Sequence, residues 1–93
     1  MQTTDISDGA VPYFAWDRTW TAGEIRRRLR ETTGAERDRI VAWILREAAF
    51  QDVWSFLDPR EVGELLPRLE HRLGRKKAFW QHIIRSWHEL GKL

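Results

Sequence analysis

The chain has 93 residues, 42% of them hydrophobic and 32% charged, with 16 Lys or Arg against 14 Asp or Glu and a net charge of +2. That size and mixture describe one globular domain and argue against disorder, and no apolar run approaches the roughly 20 residues of a membrane span. The absence of Cys excludes disulfides and thiol chemistry and fits a reducing, cytoplasmic setting.

Residues 1–12 are small, acidic and turn-rich, with Asp5, Asp8 and the step Val11-Pro12, and are expected to be a flexible N-terminal tail ahead of a single helical domain over 13–93. Met1 to Gly9 carries no basic cluster and no long apolar segment, so neither a secretory signal nor a transit peptide is expected. The stretch Tyr13-Phe14-Ala15-Trp16-Asp17-Arg18-Thr19-Trp20 is aromatic but lacks a helical repeat, which predicts an extended arm lying across the helices. Thr21 and Glu24 then have capping-box spacing and open a helix to about Thr32. Ile25 and Leu29 form its thin apolar stripe, Arg26, Arg27, Arg28 and Arg30 cover much of the rest, and Thr33-Gly34 is expected to end it.

From Ala35 to about Phe50, Ile40, Val41, Trp43, Ile44, Leu45, Ala48 and Ala49 wrap more than one face, as in a central helix. A turn near Gln51 and Asp52 precedes the short apolar segment Val53 to Leu57, read as helix. Asp58-Pro59-Arg60-Glu61 combines an N-cap Asp, a proline at the first helical position and a Glu at capping-box spacing. Val62, Leu65, Leu66 and Leu69 supply the apolar face of that helix, and Pro67 is expected to kink or break it.

Gly74 separates the last helix, Arg75 to about Leu90, in which Phe79, Trp80, Ile83, Ile84, Trp87 and Leu90 recur at three and four residue intervals. Arg75, Lys76 and Lys77 in its first turn oppose the positive end of the helix dipole. They point either to an external anion or acidic partner or to a solvated basic face. The expected fold is all-α: a compact bundle of four or five short helices with an extended aromatic N-terminal arm.

Motifs that carry chemistry are missing from this pattern. His71, His82 and His88 are not spaced one helical turn apart and no Cys joins them, so no metal site is expected. Ser7, Ser55 and Ser86 lie outside any Gly-x-Ser-x-Gly turn, and the glycines form neither Gly-x-Gly-x-x-Gly nor a P-loop. Glu61 and Glu64 lie on a helix at solvent-compatible spacing. The expectation is a protein without enzymatic activity or cofactor.

Six tryptophans in so short a chain exceed what folding alone requires, and Trp, Tyr and Arg are the residues enriched at interface hot spots. Trp43, Trp80 and Trp87 belong by periodicity to the core, and Trp54 lies in a short ambiguous segment. For Trp16 and Trp20, outside the main helices, packing on their own domain and docking to a partner both stay open. One reading is therefore a protein-binding module using Tyr13, Trp16, Asp17 and Trp20 together with Arg26, Arg27, Arg30, Arg75, Lys76 and Lys77. The other is a small helical DNA-binding regulator whose basic helix faces meet phosphates, although Glu24, Glu31, Glu36 and Asp38 interrupt those faces.

Tyr13-Phe14-Ala15-Trp16-Asp17, then Glu36-Arg37 with Ile40 and Ile44-Leu45-Arg46-Glu47, then Asp52-Val53-Trp54-Ser55-Phe56-Leu57, and finally Phe79-Trp80 form a series of short motifs. Over about residues 13–87 this series resembles the small helical proteins encoded beside AbiEii-type nucleotidyltransferase toxins. The resemblance implies an antitoxin-like role, in which the chain binds the nucleotidyltransferase and blocks its active site. No catalytic residue carries over, and Pro67 with the stretch Leu69 to Leu73 matches no part of the pattern.

Overall fold

The computed structural model describes residues 7–15 and 17–92. Within them five α-helices follow in order: α1 (Ala22–Glu31), α2 (Gly34–Glu47), α3 (Phe50–Val53), α4 (Pro59–Leu69) and α5 (Lys77–Glu89). Single 3-10 turns stand at Tyr13–Ala15, Glu70–Arg72 and Gly74–Lys76, and no strand occurs among the described residues. The radius of gyration, 13.2 Å, is that of a compactly folded chain, for which about 13 Å is usual at 100 residues.

α2 is the central helix, as the breadth of its apolar surface requires. Ile40 through Leu45 are all buried, including Trp43. The other elements close around it: Phe14 and Ala15 from the first turn, Ile25 and Leu29 from α1, Val62, Leu66 and Leu69 from α4, and Trp80 and Ile84 from α5. No polar or charged residue among those described is buried outright, and every buried side-chain nitrogen or oxygen has a hydrogen-bond partner. The core side chains are thus apolar except for the indole N–H groups of Trp43 and Trp80.

Several boundaries differ from the expected ones, each for a local reason. Gly34, at φ +62°, begins α2 instead of closing α1, because only this left-handed turn redirects the chain within so few residues. α2 ends at Glu47, where Ala48 and Ala49 turn extended, and the short helix falls at Phe50–Val53, ahead of the expected Val53 to Leu57. α4 runs through Pro67 to Leu69 without breaking. Pro67 sits two residues from the end, so its missing N–H deprives only the Gly63 carbonyl before the chain tightens into the 3-10 turn.

Both expected caps are present. Thr21 accepts from the Glu24 amide at 3.1 Å, and Asp58 accepts from the Glu61 amide at 3.3 Å. The carboxylate of Glu24 does not return to the cap but pairs with Arg27 and Arg28.

The N-terminal region is the main departure from expectation. Where an extended arm was expected, Tyr13–Ala15 makes one 3-10 turn, with Phe14 4% and Ala15 0% exposed. An aromatic side chain gains more by entering the core than by lying over it, and one turn is enough to aim Phe14 at Trp43 and Phe56, with ring centroids 5.3 and 5.6 Å apart. Residues 8–12, expected within a flexible tail, dock on the start of α1. The Ala22 amide donates to the Ala10 carbonyl at 2.7 Å and the Gly23 amide to the Asp8 carbonyl at 3.0 Å, giving two unpaired first-turn amides a partner. Residues 1–6 of the expected tail lie outside the described residues.

Candidate partner-binding surfaces

The junction between α2 and α3 organises the rest. When α2 stops, the carbonyls of its last turn and the amide that follows need partners from elsewhere. The indole N–H of Trp80 donates to the Leu45 carbonyl at 2.8 Å, and Lys76 Nζ donates to the Ala48 carbonyl at 3.3 Å. The Tyr13 hydroxyl accepts from the Ala49 amide at 2.7 Å and donates to the Asp52 carboxylate at 2.6 Å. Burial raises the Tyr13 hydroxyl above its ordinary pKa, and the bond to Asp52 adds to that. The lysine that opposes the dipole of α5 therefore lies at the favourable, negative end of α2.

An aromatic face grows out of this junction. Phe50 packs against Trp54, Phe79, Trp80 and Trp87, with ring centroids 5.5, 5.9, 5.8 and 6.2 Å away. Trp80 is fully buried, Phe50, Trp54 and Trp87 are half-buried, and Phe79 stands out with 40% of its surface exposed. Arg75, in the 3-10 turn before α5, and Lys77, the first residue of α5, are both exposed.

The basic residues of α1 are arranged differently. Arg27 is held between Glu24 and Glu31 at 2.5 and 2.7 Å, and Arg28 meets Glu24 at 3.0 Å. Hydrogen bonds from Arg27 hold the Glu24 carboxyl below the usual carboxylate range. Arg26 pairs with Asp8, donates to the Ser55 carbonyl and lies 4.9 Å from the centroid of Phe56. Arg30 alone of the four is exposed and makes no ion pair among the described residues.

A second basic site was hidden in the sequence. Arg39, Ala42, Trp43 and Arg46 share one face of α2, and Arg18 and Arg72 reach the same place from the loop before α1 and from the turn after α4. Together they line a hollow of about 200 Å³, and a smaller one of about 100 Å³ beside it adds Trp20 and Ile40. Arg18 lies over both indoles, 4.8 Å from the Trp43 centroid and 5.1 Å from that of Trp20. Thr19, next in the chain, has φ +56°, the one positive φ outside glycine among the described residues, and its hydroxyl donates to the Arg18 carbonyl at 2.6 Å.

The residues singled out from sequence are thus dispersed. Tyr13 and Lys76 serve the α2–α3 junction, Asp17 is exposed, and Arg75 and Lys77 flank the aromatic face. Trp20 is half-buried, with its ring 5.6 Å from Trp43 and the Arg28 guanidinium 4.3 Å from its centroid, so it packs on its own domain. Trp16 lies outside the described residues. Phe79 belongs to the apolar repeat of α5 yet stands exposed, and nothing in the sequence groups all four of Arg18, Arg39, Arg46 and Arg72. Arg39-x-x-x-Trp43-x-x-Arg46 is a helical face legible in sequence, but Arg18 and Arg72 join it only through tertiary packing.

No group of three metal-capable side chains occurs among the described residues, where His71, His82 and His88 are all exposed, and no helix there is long and apolar enough to cross a membrane. Comparison with known proteins yields no match to a family model, a curated protein or a solved structure.

Proposed function

We propose that the chain is a non-catalytic protein-binding module, antitoxin-like, that neutralises a nucleotidyltransferase by covering its active site. The observation that carries this reading is the aromatic face of α3 and α5, with half-exposed Phe79 at its crest and Arg75 and Lys77 at its edge. Large rigid rings lose little conformational freedom on binding, and a basic rim steers an acidic surface toward them. A nucleotidyltransferase presents such a surface, because carboxylates hold the divalent ions of phosphoryl transfer.

The short motifs that carry the resemblance also meet in space, which supports the same reading. Tyr13 bonds Asp52, Phe14 packs on Phe56, and Trp54 and Phe79 both pack on Trp80. DNA binding through α1 has less support, since Arg26, Arg27 and Arg28 are already paired with Asp8, Glu24 and Glu31.

The test is whether a nucleotidyltransferase is encoded beside this chain and is inhibited by it. The purified protein is expected to suppress nucleotidyl transfer in proportion to complex formed. Phe79→Ala with Lys77→Glu is expected to weaken inhibition at least tenfold while helicity is kept. Full inhibition by that variant would refute the aromatic face, and no inhibition by the wild type would refute the antitoxin role.

A further inference from the structure

We propose that the arginine-lined hollow on α2 is an anion receptor for a diphosphate group. Four side chains of one kind converge there: Arg18, Arg39, Arg46 and Arg72, around a floor of Trp43 and Ala42. All are arginines and none is a lysine. A planar guanidinium binds oxyanions as a fork of parallel N–H donors, whereas an ammonium acts as a point charge.

Among the described residues the guanidiniums of Arg18, Arg39 and Arg72 make no ion pair, and Arg46 is partly engaged. Arg46 uses Nε on Glu47 and Nη1 on the Arg72 carbonyl, leaving Nη2. Asp38 lies near enough to feel the charge of Arg72, but both of its oxygens are taken by Arg68 at 2.9 Å.

Two further observations favour a built site over a chance meeting of surface charges. Like charges brought together on a low-dielectric indole floor repel one another more strongly than they would in open water, and an anion relieves that repulsion. Thr19 moreover adopts a left-handed conformation that is uncommon for a β-branched residue, and Arg18, the residue before it, lies over the two indoles.

The number and directions of the donors choose the ligand class. One carboxylate satisfies one fork in one plane. Guanidiniums arriving from the loop before α1, from α2 and from the turn after α4 need an anion that shows oxygens on several sides, as linked phosphoryl groups do. Base stacking as the source of affinity is disfavoured, because Trp43 is only 3% exposed and Arg18 and Arg28 already lie over Trp20.

The test is an NMR titration of the whole protein with inorganic pyrophosphate at constant ionic strength, with ADP and citrate as parallel arms. Pyrophosphate is expected to bind saturably at one site. The shifts should concentrate on the indole N–H signals of Trp20 and Trp43 and on Nε–H of the four arginines. Arg39→Gln with Arg72→Gln, both exposed, is expected to weaken binding at least tenfold, while Arg75→Gln with Lys77→Gln changes it less than twofold. ADP binding equal to pyrophosphate would confine recognition to the phosphates, and tighter binding would add a nucleoside contact; either outcome supports the site. Shifts that never saturate, unchanged binding by the Arg39/Arg72 variant, or citrate binding as tightly as pyrophosphate would overturn it.

Discussion

Trp80 shows how one residue carries two duties. Its ring is fully buried among Phe50, Trp54 and Phe79, and its N–H answers a carbonyl at the open end of α2. Trp80→Phe keeps an aromatic ring but leaves that carbonyl unpaired and a void beside it. A loss of about 2–4 kcal/mol is expected from urea unfolding, the sum of an orphaned buried acceptor and lost packing. Thr19 predicts the opposite sign. Replacing it with Gly removes the strain of φ +56° and is expected to raise stability by up to about 1 kcal/mol, read as a higher urea midpoint. The same change frees Arg18, so a stability gain there would come with weaker anion binding.

Among the elements, the α2–α3 junction is the most sensitive, because a side chain distant in sequence completes it. Tyr13→Phe leaves the Ala49 amide without its acceptor and is expected to cost about 1–3 kcal/mol at neutral pH. The hydroxyl also sets an alkaline limit. Its pKa is raised in the folded state, so its contribution is complete below about pH 10, the unfolded value, and is lost as pH rises through the higher folded one. Unfolding titrations between pH 8 and 11 should show this decline in the wild type and lack its Tyr13 component in Tyr13→Phe. The clasp between α2 and α4 has the reverse sign. Hydrogen bonds from Arg68 depress the Asp38 carboxyl, so its contribution is present above the ordinary carboxylate range and is lost as pH falls through the depressed value. Arg68→Gln should flatten the acid limb of the stability profile, measured by thermal unfolding between pH 2 and 5.

At the scale of the whole molecule, what could be read in the sequence follows physical range. Caps at Thr21 and Asp58, the broad apolar surface of α2 and the periodicity of α5 are local signals, and all four stand in the structure. Partners distant in sequence leave no such signal. Nothing near Phe14 in sequence announces Trp43 and Phe56, so the aromatic stretch read as an arm when it is part of the core. The basic run lies in α1, where Glu24 and Glu31 one turn away pair with Arg27 and Arg28, while the convergence of Arg18, Arg39, Arg46 and Arg72 spans 54 positions of sequence, from 18 to 72. The five described tryptophans are likewise grouped by packing: Trp20 and Trp43 form one cluster, Trp54, Trp80 and Trp87 another. The second cluster reaches the surface through Phe79. The most direct test of its role is hydroxyl-radical footprinting of the chain alone and in complex with the nucleotidyltransferase proposed as its partner, read by mass spectrometry at each aromatic side chain. The account predicts protection of Phe79, with smaller protection at Trp54 and Trp87 and no change at Trp20. Unchanged oxidation of Phe79 in a saturated complex would contradict it.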